Sequence, residues 1–415
     1  SILNVNKINP VGGGSTITIA GIASVTGSVT APSFVGNVTG NSDTASGLSG
    51  NPSINTTGIV TATSFVPTVG QLSHRNKVIN GGMLINQRAS SYTSTGGEYT
   101  LDRYSHASGG SFTFDTTTTQ DSSTPDGFSK SLKITPDSTQ TPTGTHNGTI
   151  RQVFEGQDFQ DLAFGTSSAK SVTVSFYAKS SSQNNNHQYG VQLRCRDGST
   201  TQYVSQAFNV TSSWQRFTMT FVGNTGVGIR NDTAVGFEIC FHLASGPDDI
   251  VSAKSTWTTS TAFQTVTGQS NFMDNTSNEF YLTGVQLEVG SVATPFEHLR
   301  FGDDLRCCQR YYHRITAVGQ YGRFANGQCT GSTESQYFVQ FPVTMRAAPT
   351  FGYGGTIVGY TVDTVKTISG NITIGNANQN TGLLTASLSG LTAGNCVDLI
   401  ANNDTTAYVE FIAEL

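Results

Sequence analysis

The sequence has few charged residues. Asp, Glu, Lys and Arg together make up 12% of its 415 residues, about half of the share found in an average soluble protein. The formal net charge is -5, and the basic residues are scattered along the chain. This pattern excludes nucleic acid as a partner, because phosphate binding requires a concentrated basic surface.

Cysteines and long apolar runs are also scarce. The six cysteines are widely spaced except for Cys307 and Cys308, and neighbouring cysteines on a helix point to different faces, so we expect free thiols. No charged segment followed by an apolar core marks a signal peptide. No window approaches the ~20 apolar residues of a membrane helix. These features predict synthesis in a reducing cytoplasm and no insertion into a membrane.

The remainder is rich in Ser, Thr, Asn, Gln and Gly, which favours strands and turns over helices. The clearest strand covers residues 282–289, where Val285 and Leu287 alternate with Gln286 and Glu288. Such alternation gives a strand one apolar and one polar face. We therefore predict an all-β fold, and the length allows two or three domains.

Residues 1–73 contain an imperfect repeat. TAPSFVG at residues 30–36 recurs as TATSFVP at residues 61–67, among short alternating runs. A strand of four or five residues cannot bury its apolar stripe alone. Two interpretations stay open: a disordered linker, and an intertwined β shaft in which several chains pool their apolar side chains. We favour the shaft, in which Phe34 and Phe65 point inward at equivalent repeat positions.

Residues 74–300 have the pattern of a jelly-roll β-sandwich, with about ten strand-like runs separated by turn-rich segments. The predicted strands are 78–87, 111–115, 131–135, 148–154, 171–178, 189–196, 201–209, 214–221, 234–243 and 278–289. The segment 245–277 is longer than an ordinary loop, so it is a candidate for a functional insertion.

Residues 301–315 are predicted to form a linking helix. Leu305, Cys308 and Tyr312 lie three or four residues apart, so they share one face of such a helix. We predict that these three side chains pack around the threefold axis of a homotrimer.

Residues 316–415 are predicted to form a smaller C-terminal β-sandwich. Its strands are expected at 335–343, 356–362, 365–369, 370–375, 383–388, 397–401 and 407–415, with loops at 320–332 and 376–382. Since the last strand reaches the final residue, we expect an ordered C-terminus. These loops would lie at the distal tip of the molecule if the predicted shaft is its proximal end.

Several runs of residues resemble a known module. The start of the module is similar to VINGGMLINQR (78–88) with LDRY (101–104), and its end is similar to GVQLEVG (284–290), ATPFEH (293–298) and CQRYY (308–312). Its middle part is similar to the runs FEGQD, VTVSFYAK and SSWQRFTMTF. The module is a β-sandwich of tail fibres and related virion proteins of tailed phages, and it is itself similar to jelly-roll carbohydrate-binding modules. The resemblance covers roughly residues 78–314.

The two ends of the chain resemble phage proteins as well. The repeats in residues 1–73 and the opening ILNVNKINP are similar to fibre proteins from phages of cyanobacteria, and MRAAPTFG (345–352) resembles a C-terminal domain that accompanies the module. The resemblance implies a virion protein that is assembled in the bacterial cytoplasm of the host. Its N-terminus would attach to other virion proteins, and its remaining domains would recognise glycan on the host cell surface through weak, multivalent contacts.

Two alternatives to host recognition stay open. The first is a purely structural capsid or tail decoration protein without a ligand. The second is a hydrolase that degrades host polysaccharide, although no motif for a catalytic metal, a phosphate or an activated serine is present. The adjacent acids are assigned to the helix start (Asp303 and Asp304) and to a solvated loop (Asp248 and Asp249). We therefore predict that the protein is not an enzyme.

Sugar contacts are expected from exposed aromatic side chains and nearby amides. Trp257 lies in a loop rich in Ser and Thr, where an exposed indole usually has a partner; packing onto the sandwich or a neighbouring subunit is the alternative. Tyr189, Tyr203, Asn185 and Gln188 are the further candidates for ligand contact.

The resemblance implies no cofactor other than a structural calcium. The resembling jelly rolls often hold one near their first and last strands, and Asn80 and Glu288 would offer the oxygen ligands that this cation prefers. The alternative for Glu288 is a solvated carboxylate or one paired with an arginine.

Overall fold

Nearly all of the regular structure is β-strand, so the predicted all-β fold is confirmed. The computed structural model describes residues 73–197, 201–251, 254–259, 265–362 and 364–415, which belong to one compact unit of the chain, Val66–Leu415. The predicted shaft, with Phe34 and Phe65, lies outside the described residues. No helix in the described part of the chain is long and apolar enough to span a membrane.

The first part of this unit is a jelly roll of two six-stranded antiparallel sheets. Sheet A has the strand order β1-β3-β4-β14-β6-β9, sheet B has the order β12-β8-β7-β10-β5-β2, and β11 and β13 form a short parallel ribbon. The strands are β1 Ser91–Ser94, β2 Ser105–Gly109, β3 Thr116–Asp121, β4 Ser131–Pro136, β5 Asn147–Glu155, β6 Val172–Ser180, β7 Gln188–Cys195, β8 Gln202–Asn209, β9 Gln215–Phe221, β10 Val235–Ser245, β11 Ile250–Val251, β12 Lys254–Thr258, β13 Thr265–Val266 and β14 Phe280–Val289. Short 3-10 turns cover Gly156–Leu162, Pro247–Asp249 and Phe272–Asp274.

The core of the jelly roll lies between the two sheets and is rich in phenylalanine. Phe176 of β6 meets Phe208 and Phe241 of sheet B edge to face, with ring centroids 5.0 and 5.1 Å apart. All three rings are at most 4% exposed. Edge-to-face packing of this kind stabilises a core beyond the burial of its area.

The predicted first strand over residues 78–87 is absent, and residues 111–115 connect β2 to β3 without forming a strand. Over residues 78–87 the chain follows an irregular path, with positive φ angles at Asn80 and Met83. Gly81 lies so close to β14 that a Cβ there would come within 2.2 Å of the Val285 carbonyl oxygen. Val78, Met83 and Ile85 are nevertheless buried, and Ile79 and Leu84 are half-buried. Their alternation therefore reflects packing into the core and not pairing in a sheet.

Strand β14 is present as predicted, but its polar face is not solvated. Gly284 interrupts the regular pairing with φ of +61°, and after Gly290 the chain turns back across the strand. The Glu288 side chain then accepts hydrogen bonds from the backbone and hydroxyl of Thr294, both at 2.8 Å, and from Gln286 at 2.9 Å. The expectation of a solvated or arginine-paired Glu288 is wrong, because the residue is 3% exposed and bonded to neutral groups.

The linking helix is shorter than predicted and does not present the expected stripe. Helix α1 covers Phe301–Gln309, and Tyr312 belongs to strand β15, Tyr312–Thr316. Cys308 is fully buried and Tyr312 is 2% exposed within a single chain, whereas Leu305 is half-buried. Cys308 and Tyr312 are therefore unable to pack around a threefold axis, and that part of the trimer prediction is wrong.

The second sandwich packs a three-stranded sheet, β15-β24-β18, against a seven-stranded sheet, β20-β19-β23-β16-β17-β22-β21. Strands β15, β16 and β18 were not predicted: β15 begins inside the predicted helix, and β16 lies in the segment 320–332 that was expected to be a loop. The remaining strands match the predicted ones to within a few residues. After β15 the strands are β16 Arg323–Cys329, β17 Glu334–Gln340, β18 Thr350–Gly354, β19 Ile357–Thr361, β20 Thr364–Thr367, β21 Thr373–Gly375, β22 Thr381–Ser387, β23 Cys396–Ala401 and β24 Tyr408–Ile412.

Buried ion pairs join the two sandwiches. Glu414, just after β24, contacts the guanidinium groups of Arg88 (2.8 Å) and Arg103, and Arg103 also lies 3.5 Å above the ring of Tyr311. Glu155 of β5 receives two hydrogen bonds from Arg310, at 2.6 and 2.7 Å. The last strand was predicted to reach the final residue but ends at Ile412. Beyond it, these contacts hold Glu414 between the two cores.

Candidate functional site

The outer face of sheet B carries an unusual set of polar residues. On β10, Phe237, Ile239 and Phe241 belong to the core, so the intervening Glu238 and His242 point away from it. Both outward side chains are nevertheless buried, at 1% and 0% exposure. Charged groups are rarely buried to this extent without partners.

Three guanidinium groups surround the carboxylate of Glu238. The nearest nitrogen–oxygen distances are 2.9 Å to Arg196, 3.5 Å to Arg194 and 3.6 Å to Arg151. Pairing across the sheet places Arg194 directly opposite Glu238, and Arg151 opposite the next outward residue of β10, Cys240. One carboxylate therefore faces three cations, and the cluster is positively charged.

The insertion between β10 and β14 covers one side of this face. Thr265 of β13 lies against Gly190 of β7, where a Cβ would come within 2.2 Å of its hydroxyl oxygen. Gln269 donates to the backbone oxygen of His242 at 3.0 Å. The insertion thus covers this face at Gly190 of β7 and beside His242 of β10.

The other side of the face, over β2 and β5, remains open and forms a cleft of about 300 Å³. Asn147, Thr149 and Arg151 of β5 line it together with Arg194 of β7 and residues 107–109 of β2; Gly96 and Gly97 close one wall. Both glycines have positive φ angles, +115° and +110°, which favour glycine. Among the described residues that line the cleft there is no aromatic ring and no carboxylate.

An acidic residue approaches the cleft from behind Asn147. The amide of Asn147 donates to Asp249 at 3.0 Å. Burial raises the pKa of Asp249 to about 6, although the hydrogen bond from Asn147 and the charge of Arg194 act in the opposite direction. The expectation that Asp249 is solvated is wrong, since the residue is 2% exposed.

None of the five residues predicted to contact sugar lines the cleft. Tyr189 is fully buried in the core, so its predicted contact with a ligand is wrong. Trp257 packs edge to face on Phe164, 5.6 Å between centroids, and its indole donates to Val222 at 2.8 Å. This indole therefore packs on the sandwich, which is one of the alternatives that the sequence left open.

The other three predicted contacts lie around the insertion or in a loop. Gln188 donates to the backbone oxygen of Thr267 at 2.8 Å and thus holds the insertion. Asn185 is exposed and accepts from the backbone of Ser212 at 3.0 Å. Tyr203 is half-buried, with its ring centroid 5.8 Å from the guanidinium of Arg194. Of the five, only Tyr203 touches a residue that lines the cleft.

The two candidate calcium ligands have separate partners. The Asn80 side chain accepts from the backbone of Ile85 at 2.9 Å and donates to backbone oxygens of Ile85 and Asp102. The oxygens of Glu288 are occupied by Thr294 and Gln286, as described above. No cluster of three or more His, Cys, Asp or Glu side chains suited to a metal occurs among the described residues. The structure therefore gives no support to a calcium site formed by Asn80 and Glu288.

No protein-family model matches the chain, and no curated protein matches it in sequence. The structure is similar to that of the enzymatically active domain of tailspike protein 4 from bacteriophage CBA120, with 15% identity over 52% of this chain and a TM-score of 0.29; the match spans 21% of that chain. It is also similar to a sugar-binding protein, described as putative, from Bacteroides thetaiotaomicron, with 10% identity over 52% of this chain and all of the other, and a TM-score of 0.29. A third similar structure is the CBM22-1 xylan-binding domain of Paenibacillus barcinonensis Xyn10C, with 14% identity over 49% and 94% of the two chains and a TM-score of 0.26. Scores below 0.5 do not establish a shared function.

Proposed function

We propose that the protein is a fibre-type protein of a phage virion that recognises glycan on the host surface through the cleft over β2 and β5. The observation that carries the proposal is the cleft itself. It lies on paired strands, which hold its side chains in place, and its walls offer hydroxyl, amide and guanidinium groups to a ligand rich in hydroxyls. Its volume of about 300 Å³ is at the lower end of the range for small-molecule sites, which suits one or two sugar rings.

The role that we propose is binding without hydrolysis. Cleavage of a glycosidic bond ordinarily requires two carboxyl groups that flank it, and no carboxylate lines the cleft among the described residues. Glu238 is surrounded by guanidinium groups beneath the cleft floor, and Asp249 is hydrogen-bonded to Asn147.

The virion context and the trimer remain parts of the proposal. The sequence resemblance supports attachment through the N-terminal region to other virion proteins, and the repeats of residues 1–73 support a shaft formed by three chains. Several clefts on one particle would raise the avidity of a weak single site.

A glycan array probed with the full chain tests the proposal. Ser108, which lines the cleft and is exposed, is replaced by tryptophan to fill it; Ser332, exposed on the second sandwich, receives the same substitution as a matched control. We expect Ser108→Trp to abolish binding and Ser332→Trp to preserve it. A chain that binds no glycan would favour the structural alternative, and release of reducing ends from host polysaccharide would favour a hydrolase.

A further inference from the structure

We infer that the cleft selects acidic saccharides and that Arg151 contacts their anionic group. This inference rests on the proposed function, since it names the class of glycan that the cleft over β2 and β5 binds. It is carried by the charges beneath the cleft and by the contacts of one arginine.

The first step is the balance of charge around the cleft. Arg151, Arg194 and Arg196 lie within 3.6 Å of Glu238. Two further carboxylates are bonded to lining residues: Asp249 accepts from the amide of Asn147 at 3.0 Å, and Glu98 accepts from the backbone of Gly96 at 3.0 Å. None of these carboxylates lines the cleft, whereas Arg151 and Arg194 do, so the charged groups that face a ligand are cations. Because these groups are partly removed from water, their attraction for a bound anion is stronger than on an open surface.

The second step is the position of Arg151 within that cluster. Its Nη1 lies 3.6 Å from Glu238, and its Nε donates to the hydroxyl of Ser105 at 3.4 Å. Both contacts are long, whereas Arg196 approaches the same carboxylate to 2.9 Å. A guanidinium has five N–H donors in a planar fork that matches a carboxylate or a sulfate. The Arg151 side chain is 25% exposed and lines the cleft, so it is placed to complete its hydrogen bonds with a ligand.

The third step is the rest of the lining. Ser108 offers a hydroxyl group, the Thr149 hydroxyl donates to the Ala107 backbone at 3.3 Å, and the open space beside Gly97 allows a ligand to approach the backbone. No aromatic ring among the described lining residues provides a surface for stacking. Recognition must therefore come from hydrogen bonds and charge, which distinguish an acidic sugar from its neutral counterpart.

The test uses matched pairs of oligosaccharides and the full chain. One pair is trigalacturonic acid and its methyl ester, which differ in the carboxylate charge; the other is a sulfated galactan trisaccharide and its desulfated form. Isothermal titration is expected to show at least tenfold tighter binding of the acidic member in one pair, because a charge-assisted hydrogen bond is worth about that factor or more. The pair that shows the preference identifies the anion. Its affinity should fall as salt rises from 50 to 500 mM, while that of the neutral member should not.

Two variants assign the preference to Arg151. Arg151→Gln should reduce the affinity for the acidic member to that for the neutral member, and Arg151→Lys should retain part of the preference because it keeps the charge. Arg323→Gln, which removes an exposed arginine of the second sandwich, is the matched control and should change nothing. The unfolding midpoints of all three variants show whether a loss of binding comes from a loss of folding. If Arg151→Gln does not fold, the binding preference of Arg151→Lys tests the assignment to Arg151.

The outcomes separate the inference from the proposed function. Equal binding of acidic and neutral members, or a preference that survives Arg151→Gln, would overturn the inference and leave glycan binding in place. Failure of every saccharide to bind would overturn both. Binding of free galacturonate or sulfate as tightly as of the trisaccharides would show an anion site and overturn the assignment to a saccharide.

Discussion

Replacing Glu414 with glutamine should destabilise the junction between the two sandwiches. The Glu414 side chain is 5% exposed and contacts Arg103, whose side chain is 0% exposed, as well as Arg88. Burial lowers the pKa of Arg103, and the charge of Glu414 more than offsets this, so that the pKa is raised above its ordinary value. The glutamine keeps the shape of the side chain and removes the charge that both arginines require.

The magnitude follows from the two cations that would be left behind. Removing one partner of a buried ion pair costs about 3–5 kcal/mol, because the remaining charge stays buried without compensation. Asp102, 3.9 Å from Arg88, would still serve that arginine but makes no ion pair with Arg103 among the described contacts. In a unit of this size, 1 kcal/mol corresponds to about 2 °C in Tm, so we expect Tm to fall by about 6–10 °C.

Thermal unfolding with two probes measures this effect. Far-UV circular dichroism follows both sandwiches, whereas the fluorescence of Trp214 and Trp257 follows the jelly roll, in which both tryptophans lie. We expect the two probes to report one transition in the unmodified protein and a lower one in Glu414→Gln. Asp398→Asn is the control: it breaks an exposed pair with Arg323 and should leave Tm unchanged, since such pairs contribute little. A Tm for Glu414→Gln equal to that of the unmodified protein would refute the reasoning.

Three further predictions concern the backbone, the pH dependence and the assembly. Gly284→Ala should lower Tm, because φ there is +61° and a Cβ would lie 2.7 Å from the Phe128 ring; an unchanged Tm would contradict the strained position. Burial lowers the pKa of His106 to about 4, so its contribution to the free energy of unfolding is complete above pH 6.5 and is lost as the pH falls towards 4. Denaturant titrations should show that the free energy of unfolding falls less over this pH range in His106→Gln than in the unmodified protein. The exposed control His74→Gln should behave like the unmodified protein. Light scattering should show a trimer for the full chain and a monomer without residues 1–73; a monomeric full chain would exclude the shaft, and a trimeric truncated chain would assign assembly to the sandwiches.

The sequence predicted the long strands of the jelly roll but neither the strands β1, β2 and β3 nor the short strands β11 to β13 of the insertion. Strands such as β5, β6 and β10 alternate over seven or more residues, and that period survives in any sandwich. The segment 78–87 shows the same alternation for another reason. Gly81 packs against β14, and apolar side chains on either side of it pack into the core although the segment is not paired in a sheet. At residues 310–316 the helical spacing of apolar residues continued by chance into β15. These residues form a strand because β15 pairs with β24, almost a hundred residues away. Local spacing carries no information about such a distant partner.

The candidate cleft was not predictable from local sequence. Its residues come from β2, β5, β7 and the loop before β2, and only the pairing of these strands brings them together. One signal was present: Arg194 and Glu238 occupy positions in alternating strands where both neighbours are apolar. An outward charge on a central strand can be inferred from this, but its burial among three guanidinium groups cannot.

The distribution of aromatic side chains determines how strongly one cleft can bind. Tyr189 and Trp257 pack on the jelly-roll core, which leaves the cleft with polar groups alone. A hydrogen bond to a ligand replaces one to water and contributes only about 0.5–1.5 kcal/mol, or about 1.5–3 kcal/mol when one partner is charged. Two or three such bonds therefore correspond to a Kd on the order of 1 mM. Linked copies raise avidity by about 10²–10⁴, so a trimer would bring the same cleft into the micromolar range or below. If the cleft binds glycan at a host surface, assembly through residues 1–73 is then required for function, and the truncated monomer should fail to adhere to surfaces that the full chain binds.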